Sequence, residues 1–256
     1  MQVFIYEIIG TAFLFIGINF GRGNPAVSLG AIYMALMVTA NATGGNFNLG
    51  LTSAVFLVEG KYRYQWKALI LYTVAEMIGG YLGMSVSYLI LGTDIAVIKP
   101  SDMSISITSV FFLEVFFSMT MMLTILHCKN SKLSLFKDNV PGFLAGQIGI
   151  YFGVSCIGKR TGAVMSPNIG FCNVTFVAMV QHRSDVLPYL CAYFFGPYCG
   201  SLIAGIFVKY VAVPTIKMIE ADKEKRNYQQ INKTVDSSFE NQISRIHPMN
   251  NDKIKQ

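Results

Sequence analysis

Thr43-Gly44-Gly45-Asn46-Phe47-Asn48 opens an apolar run over 48–58 that is too short to cross a bilayer alone. A membrane helix needs roughly 20 apolar residues. A backbone that enters the bilayer without crossing must satisfy its N–H and C=O groups inside protein or against water. A polar, glycine-containing loop followed by a half-length helix therefore reads as a re-entrant segment. The pattern recurs once, at Arg160-Thr161-Gly162-Ala163-Val164-Met165-Ser166-Pro167, ahead of the short apolar run 166–180.

Six longer segments flank these two: about 2–20, 27–42, 67–91, 109–127, 140–158 and 186–210. The order helix, helix, half-helix, helix appears twice, and each copy begins with a lone carboxylate on an apolar helix, Glu7 and then Glu114. Three full spans per copy bring the second in from the opposite face. Inverted repeats with broken helices meeting near the midplane recur at membrane transport sites. The spacing thus predicts an all-α membrane protein of six transmembrane helices plus two re-entrant half-helices. Its transmembrane domain is 1–213, with repeat one at about 1–91 and repeat two at about 109–210.

Composition agrees. The chain is 53% hydrophobic and 13% charged, against about 25% charged in a soluble domain. Only eight acidic residues precede Tyr210: Glu7, Glu59, Glu76, Asp94, Asp102, Glu114, Asp138 and Asp185. The net charge of +6 does not form a basic stripe with aromatics, so nucleic acid is not an expected partner. Lys61, Arg63, Lys67, Lys129, Lys132 and Lys137 fall in loops on the side of the N-terminus, and Lys209 begins the tail on that side. Loop charge of this sense predicts a multi-pass protein with both termini cytosolic; plasma and intracellular membranes are not distinguished. The five cysteines show no metal or redox spacing, and Glu7 interrupts what would otherwise resemble a cleavable signal. His127, His182 and His247 form no cluster; neither catalysis nor a cofactor or metal is expected. Small residues at four-residue spacing, Gly79/Gly83, Gly142/Gly146, Gly149/Gly153 and Gly196/Gly200, mark close helix crossings. Beyond 214 the chain is polar, and 214–256 is expected to be a disordered cytosolic tail, its first part extending the last helix.

In this order and spacing, over about residues 4–210, the chain resembles the aquaporin and aquaglyceroporin (major intrinsic protein) family. The resemblance rests on Glu7-Ile8-Ile9-Gly10-Thr11, Thr43 to Asn48, Ala75-Glu76-Met77-Ile78-Gly79-Gly80, Thr161 to Pro167, and Phe195-Gly196-Pro197. The family's Asn-Pro-Ala signature occurs at Asn24-Pro25-Ala26, but too early, between the first two spans, where it suits a helix start with Pro in the first turn. By position the signatures are instead Asn48-Leu49-Gly50 and Ser166-Pro167-Asn168. Leu49 lacks the proline, Gly50 costs about 1 kcal/mol of helix propensity relative to Ala, and Ser166 offers a hydroxyl in place of an amide. Ser166 is expected to cap its helix, and Asn168 to point elsewhere.

The resemblance implies a passive channel for water or small uncharged solutes such as glycerol, in a homotetramer within the lipid bilayer. It places the selectivity constriction at Ser28 (or Leu29), Val154, Ala163 and Ile169. Ile169 stands where the family has an arginine, so an atypical, wider mouth is expected; Lys159 and Arg160 lie nearby. Glu7 and Glu114 are expected to brace the re-entrant loops. The alternative reading is a non-conducting structural or adhesion membrane protein with the same fold.

Overall fold

A computed structural model describes residues 2–135 and 139–246, and side chains except those of 139–146 and 238–246. Gly142, Gly146, Lys137, Asp138 and His247 fall outside the described residues or side chains. Two units are distinguished, 1–212 and 213–256.

In the first unit, α1 (Gln2–Gly21), α2 (Pro25–Thr43), the half-helix α3 (Leu49–Val58) and α4 (Trp66–Leu91) form one repeat. The second comprises α5 (Ile107–Lys129), α6 (Asn139–Thr161), the half-helix α7 (Pro167–Val180) and α8 (Leu190–Phe207), which runs into a π-helical turn at Val208–Ala212. Among the described residues, the apolar helices beginning at Gln2, Pro25, Trp66 and Ile107, and the run beginning at Ser184, are long enough to cross a bilayer. The 23-residue α6 takes the remaining place; at 1.5 Å per residue it is about 34 Å long. The chain is a multi-pass membrane protein.

Local chemistry sets the helix ends. Asn24 caps α2, its Oδ1 accepting from Ala26 N at 3.0 Å, with Pro25 in the first turn. The intact Asn-Pro-Ala is thus a helix start. Ser106 caps α5 by accepting from Ser109 N at 3.1 Å.

The helix pairs α5 with α8, α1 with α4 and α1 with α2 make the most extensive contacts in the bundle. The first two depend on glycines of α8 and α4. A Cβ on Gly79 or Gly83 would sit 2.6 or 2.7 Å from the carbonyl oxygens of Ile8 and Ala12. On Gly196 or Gly200 it would sit 3.1 or 2.3 Å from those of Phe111 and Val115. Each half-helix also reaches the other repeat: α3 packs chiefly on α8, and α7 packs on α4 as well as on α8 of its own repeat. This exchange brings the two loops together inside the protein.

The second unit differs from its expectation. Residues Val213–Ile246 form one helix, α9, rather than a largely disordered segment. Glu, Lys, Arg and Gln are good helix formers, and composition alone weighed their polarity above their propensity.

Candidate functional site: the meeting of two re-entrant loops

The two loops match position by position. Gly44 and Gly162 have φ of 84° and 90°, Gly45 and Ala163 of 61° and 50°, and Phe47 and Met165 of 53° and 47°. Left-handed backbone at a residue with a side chain costs about 1 kcal/mol or more, so Phe47, Ala163 and Met165 must be held by their surroundings. Thr43 Oγ1 accepts from Gly45 N at 3.0 Å and Thr161 Oγ1 from Ala163 N at 3.1 Å. The Glu7 carboxylate accepts from Asn46 N and Phe47 N at 3.4 and 3.1 Å. Glu114 accepts from Val164 N and Met165 N at 3.1 and 2.8 Å, and from the Thr161 hydroxyl at 2.6 Å. Both carboxylates are fully buried. Each therefore takes up N–H groups that the turn leaves without a helical partner.

At the half-helix starts the two halves diverge. Asn48 Oδ1 accepts from Gly50 N at 2.8 Å and Leu51 N at 3.3 Å, which caps α3, while its Nδ2 donates to Met165 O at 3.3 Å. Ser166 has the extended backbone of a cap but makes no capping bond; its hydroxyl donates to Asn168 Oδ1 at 2.6 Å. Asn168, expected to point elsewhere, reaches back across the junction. Its Nδ2 donates to Phe47 O and its Oδ1 accepts from Leu49 N, both at 3.1 Å. Helical side chains lean toward the N-terminus of their helix, so a residue in the first turn of α7 leans over the opposing loop. The two carbonyls that precede the signatures, of Phe47 and Met165, thus each receive an amide from the other half.

This pairing accounts for two departures at once. Replacing proline by Leu49 exposes a buried backbone N–H, and Asn168 supplies its acceptor. Gly50 has a different cause: a Cβ there would lie 2.3 Å from Ser201 Oγ on α8.

A cavity of about 870 Å³ passes the junction. One end is lined by Arg22, Asp94, Lys99 and Lys159, from the α1–α2 and α4–α5 connections and the end of α6. Its middle is lined by Asn48, Met165, Ser166 and Ile169, and its far end by Asn41, Gly44 and Lys129. These ends belong to opposite faces of the bundle. Ser28, Val154, Ala163 and Ile169 all line this one cavity, whereas Leu29 does not. Leu49, Gly50, Pro167 and Asn168 are buried behind the lining, as are Glu7, Glu76 and Glu114. Glu76 accepts a hydrogen bond from Thr52.

Two contributions escaped the sequence reading. Residues 95–98 line the cavity as part of the α4–α5 connection. They are held there by Asn19 Oδ1, which accepts from Ala96 N at 3.2 Å, and by Asn173, bonded to Ile98 N at 3.0 Å and Ala96 O at 2.8 Å. Two asparagines on otherwise apolar helices were the available signal, since buried amides require partners. Lys129, in sequence only one of the loop charges that orient the chain, donates from its Nζ to Gly44 O at 2.6 Å and Asn46 Oδ1 at 2.8 Å.

No family profile matches the chain. A curated "Aquaglyceroporin" of Toxoplasma gondii is 24% identical over 221 residues, covering 82% of this chain and 78% of the relative. The crystal structure of the aquaglyceroporin from Plasmodium falciparum matches with a TM-score of 0.75 at 19% identity, over 85% of this chain and 98% of that one. Together they support the aquaporin-family resemblance, and the fold is that of the aquaglyceroporin structure.

Proposed function

We propose that this chain, an aquaporin-fold membrane protein, is a passive pore for water and small uncharged solutes such as glycerol, with a wider and less selective mouth than an arginine filter gives. One observation carries the proposal: a single cavity reaches from the loops of one face to those of the other, past both half-helix N-termini. Each such N-terminus bears roughly half a positive charge. Two of them at the junction disfavour cations while leaving hydroxyl-bearing solutes free to exchange hydrogen bonds with Asn48, Ser166 and the loop backbone. The relatives support the same reading, being aquaglyceroporins.

The constriction residues favour breadth. Ser28, Val154, Ala163 and Ile169 offer one hydroxyl and otherwise methyl groups to the lumen, with neither an aromatic ring nor a charge. Removing a fixed arginine takes away both bulk and a repelling cation. The non-conducting alternative drew its support from the altered signatures. That support weakens once Asn168 is seen to satisfy the N–H that Leu49 exposes.

Purified protein in proteoliposomes tests the proposal by stopped-flow light scattering in water and glycerol gradients. The expected result is faster equilibration than empty vesicles for both. Glycerol and water permeabilities equal to those of empty vesicles would overturn it.

A further inference from the structure

A fixed charge at either end of such a pore adds to the cation barrier at the junction, and the end near Ile169 is poorly equipped to supply one. There, Arg22 is paired with Asp94, Lys99 Nζ lies 3.9 Å from Asp185, and Lys159 is exposed at the rim. Exposed charges of this kind are screened within about 8–10 Å at ordinary ionic strength. The opposite end holds a different arrangement. Lys129 closes α5, where a cation is favoured by the helix C-terminus, and its partly buried side chain lines the cavity. Two of its three N–H donors go to Gly44 O and Asn46 Oδ1 of the re-entrant loop. Among the described residues no carboxylate oxygen lies within 4.0 Å of its Nζ. The ammonium is thus held by neutral acceptors, and the carboxylates that act on it, Glu7, Glu59 and Glu76, do so without direct contact. The loop itself is immobilised from behind by Glu7, whose carboxylate is bonded to Asn46 N and Phe47 N.

We propose that Lys129 is a selectivity-determining residue of this pore, a fixed cation at the end opposite Ile169 that excludes cations and leaves the passage of neutral solutes unaffected. The inference rests on the pore reading above. A walled cleft focuses the field of a charge on its lining, so one ammonium here acts on any ion entering the cavity. A neutral polyol carries no charge to repel.

Proteoliposomes of the full chain test this with two readouts on each preparation: glycerol-driven swelling, and potassium flux followed by a voltage-sensitive dye under a potassium gradient. Wild type is expected to pass glycerol and to leak potassium no faster than empty vesicles. Lys129→Met is expected to retain glycerol flux and to leak potassium several-fold faster, and Lys129→Arg to restore exclusion. Asn46→Asp sets an anion beside the ammonium without altering Lys129, and is expected to raise potassium flux as well. It serves as the deciding variant should Lys129→Met fail to fold. Glycerol-conducting variants whose potassium leak equals that of wild type would overturn the inference. So would a wild type that already leaks potassium as fast as Lys129→Met. Wild type that passes no glycerol would instead overturn the underlying pore reading.

Discussion

Asn168 and Leu49 form a reciprocal pair. A proline at position 49 would fit the first helical turn and carry no N–H; leucine leaves a buried donor, and Asn168 accepts it at 3.1 Å. Leaving a buried polar group without its partner costs about 1–3 kcal/mol. Asn168→Ala removes the acceptor for Leu49 N and the donor to Phe47 O together, so it should destabilise the detergent-solubilised protein by about that amount. Leu49→Pro should cost less, because the Ser166 hydroxyl still occupies Asn168 Oδ1. In the double variant the N–H no longer exists to be stranded, and the loss should fall short of the sum of the singles. Thermal unfolding of the four proteins measures this; strictly additive losses would show that the two residues are independent. The sequence held both letters but not their relation. Spacing identified each signature within its own repeat, whereas the bond that joins them crosses between repeats, where one-dimensional spacing carries no information. The left-handed Phe47 and Met165 were hidden for a related reason: a bulky residue announces no positive φ, and only the carboxylates and the packing hold it there.

Among the elements, the half-helices are the parts whose packing is set most finely. The first lies on α8 at Gly50, where a Cβ would meet Ser201 Oγ at 2.3 Å and Ser201 Cβ at 2.9 Å. Gly50→Ala improves helix propensity by about 1 kcal/mol, yet overpacking of this kind costs typically 1–3 kcal/mol. The variant should be destabilised, and Ser201→Gly in the same chain should relieve it; thermal unfolding in detergent distinguishes this from a variant stabilised by propensity alone. The glycine pairs of α4 and α8 were legible as close crossings because their four-residue spacing is a pattern within one helix. Gly50 was read only as a poorer helix former, since its partner is some 150 positions away in sequence. The α4–α5 connection escaped for another reason. Loops have no periodicity to read, and the asparagines that hold residues 95–98 lie on α1 and α7. In α9, propensity and composition point in opposite directions, and the helix follows propensity.

For the whole molecule, the inverted repeat was the most legible feature, because hydrophobic lengths and the recurrence of a lone carboxylate, a glycine loop and a half-span are all properties of order along the chain. The intact Asn-Pro-Ala at Asn24 could be set aside on the same ground, since its position between two full spans allows only a helix start. What order could not supply was the charge along the cavity. One face presents mostly paired or exposed groups, while the other holds Lys129 against a loop fixed by Glu7. The junction itself is polar but lopsided, with an amide from Asn48 and a hydroxyl from Ser166 at the lining and the second amide, Asn168, turned inward as a tie. The proposed pore is thus a neutral-solute path that runs past Ile169 without an arginine to narrow it. The ratio of glycerol to water permeability in proteoliposomes of the wild type and of Ile169→Arg tests that path most directly. We predict measurable glycerol flux in the wild type and a several-fold lower ratio in the variant, with water flux retained; an unchanged ratio, or a wild type no more permeable than empty vesicles, would contradict it.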